Sequence, residues 1–192
     1  MAVKIIIFAS GSGSNAENIV NHFAGTNTTV SAIFCNVAGA GVFERALRLG
    51  IPSKLFTKEE WKTGDRIDAI LSAYSPDLIV LAGFLWKFPS RLLTSFPYVI
   101  NVHPALLPKF GGKGMYGMHV HEAVVSSKEI ETGITIHWVN EHYDEGTIIY
   151  QAKCDVFPSD TAQDVAKKIH QLEVANFPRI VEEVLKDIER KS

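Results

Sequence analysis

Apolar residues in this chain come in short blocks separated by glycine, proline and polar punctuation. Residues 3–9 (VKIIIFA) are a β-branched run that stops at GSGSN, 11–15, which predicts a buried strand and a glycine turn. Ser14 or Asn15 then caps a helix reaching about Phe23. A second strand is expected over 29–35 (TVSAIFC), and a helix over Val42–Leu49 that Gly50 terminates. A short strand at 53–56 precedes a helix from Lys58 to Tyr74, with Ile67, Ile70, Leu71 and Tyr74 on its apolar face. Pro76 ends that helix, and DLIVLAG at 77–83 reads as the next buried strand.

A short helix over 89–95 and a strand over 98–102 follow. The stretch 109–118, KFGGKGMYGM, holds four glycines without apolar periodicity and is expected to be a mobile loop. Beyond it come a helix at about 118–127 and a strand, TGITIHWV, at 132–139. In that strand Ile134, Ile136 and Trp138 share one face, and Thr135 and His137 the other. Residues 147–156 can pair with it as a hairpin, and a last helix runs from Thr161 to Ser192. Ser159 or Asp160 is its expected cap, and Pro178 marks a kink or break. Strands alternating with helices imply an α/β fold in one domain, residues 1–192, with a doubly wound, mostly parallel sheet.

Composition narrows the function classes. The 192 residues are 46% hydrophobic and 21% charged, with a net charge of −2 and no long basic run. Nucleic acid or an anionic membrane as the main partner is therefore disfavoured. The opening segment, MAVKIIIFAS, is too short to span a membrane and lacks a signal-peptide pattern, so a cytoplasmic protein is expected. Cys35 and Cys154 lack metal-ligand spacing and are read as free thiols. His119 and His121 stand at i, i+2, on different helix faces, so no shared metal is expected.

Candidate chemistry centres on residues 101–108, NVHPALLP. Alternate strand residues point the same way, which sets Asn101 and His103 on one face, about 7 Å apart. Pro104 biases His103 towards extended backbone. An amide beside an imidazole suits work on a carbonyl; a core histidine before a turn gives the same pattern. The GSGSN turn opening a helix can bind one phosphate through free N–H groups, or can be a steric turn only. A dinucleotide fingerprint is disfavoured because the second strand ends in Cys35-Asn36, without the acid that a ribose hydroxyl needs. Residues 84–89, FLWKFP, could be core or could wall a pocket for a flat heteroaromatic ligand.

GSGSN, LAGF at 81–84, NVHPALLP and TGITIHWVNEHYDEG at 132–146 occur in that order, and together they resemble the folate-dependent glycinamide ribonucleotide formyltransferase family of purine biosynthesis. The resemblance covers nearly the whole chain. It implies a Rossmann-like formyltransferase fold with a C-terminal antiparallel hairpin, and 10-formyltetrahydrofolate as co-substrate without a metal. It implies that Gly13, Ser14 and Asn15 bind the substrate phosphate, with Glu173 also at the substrate. Leu85, Trp86, Lys87 and Phe88 would line the folate pocket, largely through backbone groups, with Asn101 beside them. Asn101, His103 and Asp144 would be catalytic, Asp144 keeping His103 charged near neutral pH, with His137 in support.

Departures from the family pattern are local. Leu85-Trp86-Lys87-Phe88 stands where the family usually has Met-Arg-Ile-Leu, and the 109–118 loop is longer and richer in glycine than in many members. A basic residue contacting folate could be Lys58, Lys62 or Arg66. A cis bond before Pro108 is expected where the loop turns back. Methionyl-tRNA formyltransferases, sugar-nucleotide formyltransferases and formyltetrahydrofolate hydrolases share the chemistry but are typically longer. A dehydrogenase or a non-catalytic nucleotide-binding module is the reading from outside the family.

Overall fold

A computed structural model describes residues 2–190. Its strands are β1 (Val3–Ala9), β2 (Thr28–Cys35), β3 (Ser53–Leu55), β4 (Leu78–Leu81), β5 (Val99–His103), β6 (Glu131–Trp138) and β7 (Ile148–Asp155). Its helices are α1 (Ser14–His22), α2 (Val42–Leu49), α3 (Lys58–Thr63), α4 (Asp65–Tyr74), α5 (Ser90–Ser95), α6 (Met118–Ser126) and α7 (Ala162–Glu189). The described strands order as β3-β2-β1-β4-β5-β6-β7 in a seven-stranded sheet. β1, β2, β3 and β4 pair in parallel, whereas β6 and β7 form the expected antiparallel hairpin. By compactness the chain divides into one unit ending at Ile100 and another beginning at Asn101.

In the first unit β1 lies between β2 and β4. Its Ile5, Ile6, Ile7, Phe8 and Ala9 are fully buried, which accounts for the unbroken apolar run in the sequence. Each large side chain so buried contributes about 1.5–3 kcal/mol. Phe8 is the hub of an aromatic cluster with Phe34, Phe56, Trp61, Phe84 and Phe88.

Three boundaries differ from expectation. The helix over 58–74 is two helices, because Gly64 adopts a φ of 90°. A Cβ there would lie 2.4 Å from Arg91 Nε, so the break needs glycine. The N-cap of α1 is Gly13, in the left-handed region, rather than Ser14 or Asn15. The N-cap of α7 is Thr161, which forms a reciprocal capping box with Asp164, while Asp160 accepts from the Phe157 N–H instead. Helix α7 runs through Pro178 as one element; its expected end at Lys191 and Ser192 lies outside the described residues. Among the described residues no helix is long and apolar enough to cross a membrane.

Candidate active site

In the second unit β5 ends on His103, and the proline after it takes the chain out of strand conformation. The His103 residue is 3% exposed. Its Nε2 donates to the Phe110 carbonyl at 2.8 Å, and its Nδ1 stands 3.5 Å from an Asp144 carboxylate oxygen. A carbonyl can only accept, so Nε2 carries a proton. Both ring nitrogens therefore face acceptors, an arrangement satisfied in full by the imidazolium.

His137, on β6, organises the other side. Its Nδ1 donates to the Trp138 carbonyl at 2.9 Å, which leaves Nε2 to accept from the Asn101 amide at 3.1 Å. Asp144 lies 3.7 Å from the same ring and accepts from the Gly112 N–H at 2.8 Å. Asn101, His103, His137 and Asp144 thus form one cluster, although they come from two strands and a loop. Asp144 and Phe110 both adopt positive φ, 57° and 55°, a sparsely populated backbone region for such residues.

The charge states differ in part from expectation. Burial is the dominant influence on His103 and pushes its pKa below the ordinary imidazole value, against the opposing pull of Asp144 and the Phe110 carbonyl. The Asp144 charge, expected to keep the ring protonated, opposes that shift without outweighing burial. Burial works to raise the Asp144 pKa, yet the His103 charge and the Gly112 N–H hold it below the usual carboxylate value.

The turn after His103 is braced by a hydroxyl that the sequence reading passed over. Thr135 is fully buried; it donates to the Ala105 carbonyl at 2.7 Å and accepts from the Leu107 N–H at 3.0 Å and the Gln151 amide at 2.9 Å. The Leu107–Pro108 bond is cis, as expected. The Phe110 carbonyl and the Gly112 N–H were also missed, since backbone groups leave no residue-type signal. Thr135 did carry one: a polar residue on the same strand face as His137.

The first unit holds the remaining candidates. Gly13, with a φ of 79°, starts α1, and a Cβ there would meet Val42 at 2.5 Å. No side chain caps this helix start, and Ser14 and Asn15 form its first turn. The Ser12 carbonyl accepts from Arg45 Nε at 2.9 Å, and Arg45 also pairs with Glu17. Leu85 and Lys87 are exposed, Trp86 is intermediate and Phe88 is buried. The Phe88 ring packs on Trp61, so its side chain is core rather than pocket wall. Lys58, Lys62 and Arg66 are all exposed, Arg66 being paired with Glu60.

In the second unit Glu173 lies on α7, 3.9 Å from His170. His119 is exposed and His121 buried, consistent with their different helix faces. Among the described residues no group of three or more potential ligands could hold a metal ion.

The sequence profile described as "Formyl transferase" matches residues 3–181 and so runs through both units. The chain belongs to the formyl transferase family. The chain is 38% identical over 195 residues to the chloroplastic phosphoribosylglycinamide formyltransferase of Arabidopsis thaliana, covering 95% of this chain and 67% of the plant protein. It is 31% identical over 187 residues to the phosphoribosylglycinamide formyltransferase of Escherichia coli, covering 93% and 85% of the two chains. The crystal structure of the phosphoribosylglycinamide formyltransferase from Anaplasma phagocytophilum superposes with a TM-score of 0.88 at 29% identity, covering 97% of this chain and 88% of that one. The α/β fold with its mostly parallel sheet, terminal hairpin and long last helix is therefore that of an established family of enzymes.

Proposed function

We propose that this enzyme transfers the formyl group of 10-formyltetrahydrofolate to the primary amine of glycinamide ribonucleotide, a step of purine biosynthesis. The observation that carries the reading is the cluster of buried His103 and His137 with half-buried Asn101 and Asp144. It offers an amide and an imidazole as hydrogen-bond donors, with a carboxylate behind the imidazole. The similarity to enzymes named phosphoribosylglycinamide formyltransferase supports the choice of acceptor.

The amine nitrogen attacks the formyl carbon, and a tetrahedral intermediate with a negative oxygen forms. One Asn101 N–H is given to His137, and the other donates to that oxygen; His103 joins it by exchanging its Nε2–H bond to the Phe110 carbonyl for one to the same oxygen. The resting imidazole is biased towards neutrality by burial. Negative charge developing beside it raises its proton affinity, so the imidazolium is favoured at the moment it is used. Asp144 sustains that charge. The bond from the formyl carbon to N10 of the folate then breaks. The proton lost by the attacking amine is delivered to N10 through His103 or water, giving formylglycinamide ribonucleotide and tetrahydrofolate. The step balances without a metal ion.

Gly13, Ser14 and Asn15 would hold the substrate phosphate on the open N–H groups of α1, where the helix dipole favours an anion. Glu173 would contact the same substrate. The backbone of Leu85–Phe88 would pair with the flat amide edge of the pteridine. Partners are thus small molecules, and a reducing cytoplasmic setting suits the two free cysteines.

An absorbance assay of tetrahydrofolate formation, with glycinamide ribonucleotide present or omitted, tests the assignment. Turnover only with the amine is expected. Equal turnover without it would make the protein a hydrolase, and none in either case would overturn the reading.

A further inference from the structure

Between β4 and α5 the chain has no regular structure, yet its backbone is held at two points by side chains from elsewhere in the first unit. The Leu85 N–H donates to Ser10 Oγ at 3.0 Å. The Ser10 hydroxyl spends its own proton on Asn36 Oδ1 at 2.6 Å, so a lone pair is left facing Leu85. The Ser10 N–H also donates to the Gly83 carbonyl at 3.0 Å. Two residues on, the Lys87 carbonyl accepts from Trp61 Nε1 at 3.1 Å. Trp61 is fixed in turn: its carbonyl accepts from Arg91 Nη2 at 2.9 Å, and Arg91 Nε bonds Asp68 at 2.9 Å. Phe84 and Phe88 pack on the Trp61 ring with centroids 5.3 and 5.6 Å away, while Leu85 and Lys87 face outward.

We propose that Ser10 and Trp61 are positioning residues for the folate co-substrate, fixing the Leu85–Phe88 backbone as a preformed template for the pteridine. The proposal rests on the reading of that segment as the folate-binding one. A segment without ladder hydrogen bonds would otherwise lose backbone freedom on each binding event, and the two side chains remove that cost beforehand. Asn36 acquires a role here that its position after β2 did not suggest. It orients the Ser10 hydroxyl so that the lone pair is presented.

The variants are Trp61→Phe, which keeps an aromatic ring in the cluster and removes only the N–H donor, and Ser10→Ala, which leaves the cluster intact. Each is expected to raise KM for 10-formyltetrahydrofolate about three- to tenfold, the factor that one neutral hydrogen bond supports. The kcat and KM for glycinamide ribonucleotide should stay within about twofold. Wild-type folate KM in both folded variants, or a loss falling equally on both substrates, would overturn the proposal. Backbone amide NMR with 5-formyltetrahydrofolate separates the two layers. If the Leu85–Phe88 amides of the wild type do not shift, the folate reading fails and this proposal with it. If they shift and the variants keep normal KM, only the positioning role fails.

Discussion

Asp144 and His103 meet at 3.5 Å with their side chains only 11% and 4% exposed, and the carboxylate does not win control of the ring. Desolvation disfavours the charged imidazole more than the neighbouring negative charge favours it. That balance sets the expected behaviour of the cluster.

Asp144→Asn should keep an acceptor for the Gly112 N–H while removing the charge. The His103 pKa then falls further, and kcat should drop about 10²- to 10⁴-fold, the range for a lost acid–base or oxyanion contribution. The basic limb of kcat/KM against pH should move to lower pH. Near-normal turnover with an unchanged profile would reject the pairing.

Stability should depend on pH through the same residues. The folded-state pKa of His103 lies below its unfolded value of about 6.5, so the unfolded chain binds more protons between the two. The contribution is full above about pH 6.5 and is lost as pH falls through the folded value. The depressed Asp144 acts in the same sense, its share being lost only below about pH 3.9. Urea unfolding of His103→Asn should therefore show a shallower loss of stability between about pH 6.5 and 5 than wild type. Parallel slopes would show that burial does not hold the ring neutral.

Thr135→Val exchanges a buried hydroxyl for a methyl group of similar shape. The Leu107 N–H then loses its acceptor, and the Ala105 carbonyl loses its donor. A cost of about 1–3 kcal/mol in denaturant unfolding is expected, with kcat falling as the turn after His103 loosens. A variant as stable as wild type would mean that the hydroxyl is not the brace.

Gly64→Ala should destabilise by about 1–3 kcal/mol, since a φ of 90° strains any residue with a Cβ and Arg91 stands in the way. Chemical denaturation checks this, and a stabilised variant would imply that the helix over 58–74 can run unbroken.

Much of this protein was legible as pattern. Apolar runs located the inner strands β1 and β4, because burial on both faces demands such runs, whereas alternation located β6. The stretch 101–108 stood out because polar residues inside an apolar block are costly to bury and so invite a chemical explanation. Helix caps were less legible: a capping side chain competes with its neighbours, and at α1 a left-handed glycine took the position. The loop residue Asp144 was tied to His103 by family resemblance alone, because the 40 residues of intervening chain carry no local signal for their contact. The tertiary structure alone decided which backbone groups bond His103 and Asp144, and how far burial outweighs charge at the imidazole. Hydrogen bonds to the main chain and desolvation depend on what surrounds an atom in space, and residue identity does not encode that.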